Sequence, residues 1–295
     1  MSAVGLRRRA TVLAALRSWF AERGFLEVPT PARVPSPAME EHLHGLPAGD
    51  AWLRTSPEFA LKRVLAMGLP RIYEIGPCFR AEESGPWHGT EFLMLEWYRV
   101  GAPLCALVED VESLVQACAA ALDVSPPTWT HWTVAEAFLT LAKVDLATAT
   151  VTTLRGHDDD TWDEAFFRCF LDHVEPNLPP ATFLRDWPVS QAALATIRTD
   201  GHPRAERFEA YLNGVELANA FHELVDATEQ RSRFETANRE RIGMGFAPHP
   251  VDEGLIQAVG QMPPTSGIAL GVERLVAALC GWDSIHPGRV SSPAP

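Results

Sequence analysis

The sequence lacks the apolar segments that would place the protein in or across a membrane. None of its 295 residues belongs to an uncharged apolar run of 18 or more. The first residues, MSAVGLRRRATVLAAL, also lack an apolar core followed by a small-residue cleavage site. The sequence therefore predicts a protein with no membrane contact and no targeting segment.

Cysteine is scarce, and its pattern excludes two kinds of cross-link. The five cysteines are odd in number, widely scattered and never in CxxC spacing. A disulfide framework needs pairs, and a zinc site needs closely spaced ligands, so neither is expected. A reducing cytoplasm is the predicted location. Repeats and low-complexity segments are absent as well, and 1–295 is predicted to form a single domain.

Basic residues are outnumbered by acidic ones. There are 25 Lys and Arg against 38 Asp and Glu, which gives a net charge of -13. Nucleic-acid binders usually carry a basic excess or a basic face. The net negative charge of this protein would instead repel a nucleic acid.

What the sequence does contain is an alternation of helical and strand patterns. Apolar residues at helical spacing predict a helix over 9–23, and Ser56-Pro57-Glu58 begins another that ends at Gly68. The runs RIYEIGPCFRAE and TEFLMLEWYRV predict a hairpin with the long loop ESGPWHG. Hairpins interspersed with helices predict an α+β fold, an antiparallel sheet flanked by helices.

One face of this hairpin carries unusual chemistry. Side chains alternate between the two faces of a strand, so every second residue lies on the same face. On the first strand these residues are Ile72, Glu74, Gly76, Cys78, Arg80 and Glu82, and on the second they are Phe92, Met94, Glu96 and Tyr98. If these faces coincide, they form either a ligand-binding floor or a solvent-facing surface with ion pairs. Glu96, in the apolar run FLMLEWY, needs a partner if it is buried.

A second acidic hairpin follows at Asn213-Gly214, a strong two-residue turn signal. The turn pairs Tyr211 with Glu216, so Glu209 and Glu216 point to the same side. Two carboxylates so placed repel each other unless a proton or a cation such as Mg²⁺ lies between them. The alternative is charge tolerated on a hydrated sheet face.

Three segments in order resemble the motifs of the class II aminoacyl-tRNA synthetase catalytic core: FLEVPTP, FRAEESGPWHGTEF and GIALGVERL. Within that class, TSPEFALKR, HGTEFLMLEWY and NGVELANAFHELVDATEQRSRFE resemble lysyl-tRNA synthetase. The chain is similar over essentially its whole length to that enzyme's short paralogues, the elongation factor P (R)-β-lysine ligases.

The resemblance implies a set of site residues. For ATP it implies Arg80 at the α-phosphate and substrate carboxylate, Glu82 at the adenine amino group, His88 at the distal phosphates, Phe92 on the adenine ring and Arg274 at the γ-phosphate. It implies Glu209 and Glu216 as Mg²⁺ ligands. For the amino acid it implies Glu58 near the amine beside the carboxylate, Glu96, Tyr98, Asn219 and Glu223 at the distal ammonium, and Ala269 at the pocket floor.

The implied function is ATP-dependent adenylation of lysine or (R)-β-lysine and its transfer to a lysine side chain of elongation factor P. A homodimer is implied, and tRNA is an unlikely partner because no anticodon-binding domain is recognised and the charge is negative. The sequence departs from lysyl-tRNA synthetases at Trp87 and Gly89-Thr90, beside His88, and has Ala269 where those enzymes tend to have Gly. Two alternatives stay open: a lysyl-adenylate-forming enzyme with another acceptor, and a non-catalytic synthetase-like regulator.

Overall fold

The computed structural model describes residues 2–38, 43–81, 83–192 and 194–290. Contacts divide the chain into two compact units, one formed by Met1–Pro126 with His222–Pro295 and the other by Pro127–Phe221. The helices are α1 (Ala3–Glu22), α2 (Glu58–Ala66), α3 (Leu104–Ala121), α4 (Val134–Ala137), α5 (Trp162–Cys169), α6 (Ala227–Gly243), α7 (Glu253–Val259) and α8 (Val272–Cys280). The strands are β1 (Leu26–Glu27), β2 (Arg33–Val34), β3 (Leu46–Ala48), β4 (Ala51–Leu53), β5 (Arg71–Phe79), β6 (Glu91–Val100), β7 (Thr130–Thr133), β8 (Ala181–Trp187), β9 (Ile197–Arg198), β10 (Arg204–Leu212), β11 (Val215–His222) and β12 (Thr265–Gly271).

The predicted α+β fold is confirmed. In the first unit, β5 pairs with β6 and β6 with β12, both antiparallel, and β1 joins β5 in parallel. A small antiparallel sheet is formed by β2, β4 and β3. The predicted long-loop hairpin is therefore present as β5 and β6.

The helices of the first unit follow their apolar patterns. α1 begins at Ala3, earlier than predicted, because the Ser2 hydroxyl accepts a hydrogen bond from the Gly5 backbone and caps the helix. It packs its apolar face inward, and Phe20 stacks on Tyr73 at 4.1 Å between ring centroids. α2 begins at Glu58 as predicted and packs Leu61 and Leu65 against the sheet side chains of Ile72 and Tyr98.

The second unit has its own sheet and core. β10 pairs with β8, β9 and β11, all antiparallel, and β7 joins β8 in parallel. The Asn213-Gly214 turn has positive φ at both residues, 53° and 76°, as a type I′ turn requires. The core of this unit centres on Phe138, Phe166 and Phe170, packed against Trp187.

Three short strands, β2, β3 and β7, lie where the sequence pattern predicts no strand. β2 and β3 lie in 32–50, whose richness in Pro, Gly and His predicts a loop, and β7 begins at Thr130, at the end of a segment (123–132) whose sequence pattern favours no element. Two- to four-residue strands show no usable period, because partner strands supply their hydrogen bonds. In the described part of the chain no helix is long and apolar enough to cross a membrane.

Candidate active site

The floor of the candidate site is the central sheet of the first unit. The β5–β6 register places Glu74 opposite Glu96, Ile72 opposite Tyr98 and Cys78 opposite Phe92. Directly opposed residues of paired strands point to the same side, so the two predicted faces coincide. β12 extends this face, with Ala269 opposite Glu96 and Gly267 opposite Tyr98.

Glu74 on this floor has a structural partner. Its Oε1 lies 2.8 Å from Nη1 of Arg54, and both side chains are almost fully buried. The Thr30 hydroxyl donates to Glu74 Oε2 at 2.7 Å, and Arg54 Nε donates to the Pro77 carbonyl at 2.8 Å. The pair is therefore neutralised within the fold and does not call for a ligand.

Glu96 is equally buried, at 2% exposure, but its partners differ. The Ser56 hydroxyl donates to Oε1 at 2.5 Å, and the Tyr98 hydroxyl donates to Oε2 at 3.1 Å. Burial, with a further contribution from the nearby charge of Glu58, raises the pKa of Glu96 to about 8. Within the described ranges, the groups that hydrogen-bond Glu96 are hydroxyls and not cations, so a bound cation would stabilise its ionised form.

Two more carboxylates lie close to Glu96. Glu58 begins α2 and Glu223 follows β11, and Lys62 bridges them with Nζ 2.6 Å from Glu58 Oε1 and 2.8 Å from Glu223 Oε2. Glu223 is 1% exposed, and burial raises its pKa to about 7 although Lys62 opposes the shift. Three of the predicted substrate carboxylates, Glu58, Glu96 and Glu223, thus influence one another electrostatically.

The predicted ATP residues of the first unit form two pairs. The Arg80 guanidinium lies over the Phe92 ring, 5.2 Å from its centroid, and 3.5 Å from Glu83. Arg274 Nη2 lies 2.7 Å from His88 Nε2, and its Nε donates to the Trp87 carbonyl at 3.2 Å. Cationic side chains beside an aromatic ring can receive phosphates and a base. Glu82 lies outside the described residues.

Glu273, next to Arg274, connects three elements of the first unit. Its Oε2 accepts a hydrogen bond from the Leu93 backbone at 2.9 Å, and its Oε1 lies 3.3 Å from Arg9 Nη2. The start of α8 is thereby fixed to β6 and to α1. This contact holds the helix turn that carries Arg274 in place.

The second unit carries the other predicted cluster. Arg207 Nη2 and the Tyr211 hydroxyl each contact a Glu209 oxygen at 2.5 Å, and Arg207 Nε donates to Asn219 Oδ1 at 3.1 Å. The predicted pairing of Tyr211 with Glu216 is present, and a bulge then places Asn219 opposite Glu209. Burial and the charge of Glu216 raise the pKa of Glu209 to about 7, although Arg207 lowers it.

The donor set of Glu209 and Glu216 fits a hard divalent ion. Carboxylate oxygens are the ligands that Mg²⁺ prefers, and Mg²⁺ usually keeps waters and phosphate oxygens for its other positions. Burial holds the pKa of Glu209 above its ordinary value even with Arg207 in contact, so a further cation would stabilise its ionised form. No cluster of three or more His, Cys, Asp or Glu side chains suited to a metal occurs among the described residues.

Sequence reasoning missed the residues that hold these carboxylates: Ser56, Lys62, Arg54 and Arg207. Lys62 carried a usable signal, because it follows Glu58 by four residues on a predicted helix. Arg54 and Arg207 carried none, since their partners are set by strand pairing.

Comparison with known protein families gives a match that spans almost the whole chain. A sequence family described as tRNA synthetases class II (D, K and N) matches residues 2–288. All of the site residues named above lie within the matched range.

Proposed function

The chain belongs to the class II tRNA synthetases of the D, K and N group, and we propose that it is an ATP-dependent ligase that adenylates lysine or (R)-β-lysine. Class II synthetases are ligases that use ATP and Mg²⁺. The choice of amino acid and of acceptor is the part that we propose.

The observation that carries the proposal is the acidic pocket of the first unit. Glu96 is buried on the sheet floor with hydroxyl partners, and Glu58 and Glu223 lie near it. A substrate with two amines supplies the positive charge that ionised carboxylates require in a buried site. A monoamino acid would supply one charge fewer.

In the proposed reaction, the substrate carboxylate attacks the α-phosphorus of ATP and pyrophosphate leaves. Arg80 and Arg274 would provide positive charge for the phosphates, since a guanidinium binds phosphate with two parallel hydrogen bonds and stays protonated. Phe92 and Glu82 would receive the adenine and His88 the distal phosphates. Glu209 and Glu216 would hold Mg²⁺, which would supply positive charge for phosphate oxygens. The protein then needs positioning and electrostatic stabilisation and no covalent nucleophile.

In the second step, a lysine side chain of elongation factor P attacks the acyl carbon, an amide forms, AMP leaves and the amine loses a proton. A protein acceptor is supported over tRNA by the net charge of -13. The two alternatives remain as outcomes of the test: another acceptor, or a regulator without catalysis. Arg80, Arg274, Glu209 and Glu216 are all present, which supports a catalyst.

Pyrophosphate exchange with α-lysine, (R)-β-lysine and norleucine tests the adenylation step. We expect exchange with at least one lysine isomer and little with norleucine, which lacks the distal amine. Mass measurement of elongation factor P after incubation with ATP and that isomer tests the acceptor. Exchange without a mass increase would support another acceptor, and the absence of exchange with every amino acid would support the regulator.

A further inference from the structure

Lys62 is an unusual residue in this chain. The sequence contains two lysines, Lys62 and Lys143, and Lys143 is exposed on the second unit. Lys62 is 1% exposed and lies on the face of α2 that is turned toward the interior. A buried ammonium is costly unless carboxylates compensate its charge.

The compensation is provided by two residues that the proposed function assigns to the substrate. Lys62 Nζ lies 2.6 Å from Glu58 and 2.8 Å from Glu223. Burial by itself would lower the pKa of Lys62, but these two carboxylates raise it above its ordinary value. Lys62 therefore carries a full positive charge at neutral pH.

The charged groups around the pocket can be counted from the contacts. Glu58, Glu96 and Glu223 are acidic, Lys62 is basic, and the neighbouring Glu74 is already neutralised by Arg54. The uncharged titratable groups that face Glu96 are the Tyr98 phenol and the buried Cys78 thiol, and burial raises the pKa of both. With all three carboxylates ionised, the pocket keeps two negative charges beyond the one that Lys62 neutralises.

We propose that Lys62 is a positioning residue, an internal ammonium that holds Glu58 and Glu223 in place and sets the charge of the pocket to match a bound substrate with two amines. This inference rests on the proposed function. It assigns to Lys62 a role in selecting diamino acids over monoamino acids, acting through the carboxylates and not through contact with the reacting atoms.

Lys62→Met removes the charge at similar side-chain length, and Lys143→Met is the matched control. Without the ammonium, which lowers the pKa of Glu223, that carboxyl holds its proton to higher pH. The acid limb of the pH profile of kcat/KM for lysine-dependent exchange therefore moves up by about one pH unit or more. At neutral pH, KM for lysine rises by about tenfold while kcat changes less. Lys143→Met is expected to follow the wild type in both respects.

A charge-matched variant separates this role from simple packing. Lys62→Met with Glu58→Gln restores the charge count, and we expect its acid limb to return toward the wild-type pH even if KM stays high. A packing defect would not be corrected in this way. The inference would be overturned if the pH profile of kcat/KM had the same acid limb in Lys62→Met as in Lys143→Met.

Lysine NMR gives a readout that does not need catalysis. With ¹³C at Cε of lysine, the wild type has two resonances, and Lys62→Met identifies one by its loss. We expect that resonance to keep its ammonium shift to about pH 11, beyond the ordinary lysine pKa, and to move on addition of lysine but not of norleucine. If it moves in this way while the enzyme shows no exchange, the proposed ligase activity fails and the role of Lys62 stands. If exchange is normal but the resonance titrates as an ordinary lysine, the inference fails alone.

Discussion

Glu74 and Glu96 lie directly opposite each other on β5 and β6, but only Glu74 lies in an ion pair with a cation in the described structure. Arg54 neutralises Glu74, whereas Glu96 accepts hydrogen bonds from Ser56 and Tyr98. Two carboxylates with the same sheet environment therefore have different electrostatic states. The first is part of the fold, and the second is in the state expected of a group that receives a cationic ligand.

Glu96→Gln is expected to keep the fold and lose lysine-dependent pyrophosphate exchange. The amide oxygen can accept a hydrogen bond from one of the two hydroxyls, Ser56 or Tyr98, and the amide nitrogen can donate to the other. The neutral amide cannot balance an ammonium, and charged hydrogen bonds contribute about 1.5–3 kcal/mol. We therefore expect kcat/KM to fall by about 100-fold. Glu22→Gln, at an exposed position on α1, is the control. Full activity of Glu96→Gln would show that Glu96 is a buried polar group without a binding role.

The stability of the ligand-free protein is expected to fall as pH rises. Burial raises the pKa of Glu96 to about 8, above the value of about 4.5 in an unfolded chain. Its protonated form thus contributes stability that is fully present below the unfolded pKa and is lost as pH rises through the folded pKa. One such proton gives a slope of at most about 1.4 kcal/mol per pH unit. Urea unfolding measures the free energy of unfolding between pH 5 and pH 9, and this free energy should fall less with pH in Glu96→Gln than in the wild type. The same pH dependence in both proteins would contradict the raised pKa of Glu96.

Breaking the Arg54–Glu74 pair is expected to destabilise the first unit strongly. Among the described residues, Arg54→Met leaves the buried Glu74 carboxylate with the Thr30 hydroxyl as its polar side-chain contact, and such losses cost about 3–5 kcal/mol. Arg54→Met with Glu74→Leu removes both charges and should recover part of the loss. Urea unfolding at neutral pH measures both. A double variant as unstable as Arg54→Met would show that packing, and not the uncompensated charge, explains the effect.

Ala269→Gly is expected to change the preference between lysine isomers. Ala269 lies opposite Glu96 on the floor and is half-buried, so its methyl group limits the space above that carboxylate. One methyl changes discrimination by about 1–3 kcal/mol. The ratio of kcat/KM for α-lysine and (R)-β-lysine should therefore shift by about tenfold or more. Ala48→Gly, at a half-buried position in β3, should leave the ratio unchanged.

Glu216→Gln is expected to increase the Mg²⁺ concentration needed for half-maximal exchange. The variant removes one of the two proposed carboxylate ligands, so affinity for the ion should fall by about tenfold or more. Saturating Mg²⁺ should restore part of the activity. Glu206→Gln, whose parent carboxylate binds Thr196 on the same unit, is the control. An unchanged Mg²⁺ titration would remove Glu216 from the proposed metal site.

Much of this arrangement could be predicted from local sequence. Strand periodicity placed Phe92, Glu96 and Tyr98 on one face, and the Asn213-Gly214 turn fixed the pairing of Tyr211 with Glu216. Both inferences depend on neighbours within a few residues, where side-chain direction follows directly from strand geometry. The helical patterns over 9–23 and from Ser56 to Gly68 likewise identified α1 and α2.

Other features depended on contacts between distant segments. Nothing near Glu74 in the sequence indicated that Arg54 would neutralise it, and the bulge that places Asn219 opposite Glu209 has no local signal. The single-domain organisation, the homodimer and the roles of the site residues remain predictions.

The sequence by itself determined the fold class, the two hairpins and the residue types that suit a diamino acid and ATP, because periodicity, turns and motifs are local properties. Tertiary structure decided which of these carboxylates have cationic partners in the fold. Arg54 forms an ion pair with Glu74, and Lys62 lies between Glu58 and Glu223. Glu96 accepts hydrogen bonds from hydroxyl groups. The physical reason is that the charge state of a buried acid depends on burial and on the groups within a few ångströms. Those groups come from α2, from β6 and from the segment between β4 and α2, and they meet only after the chain has folded.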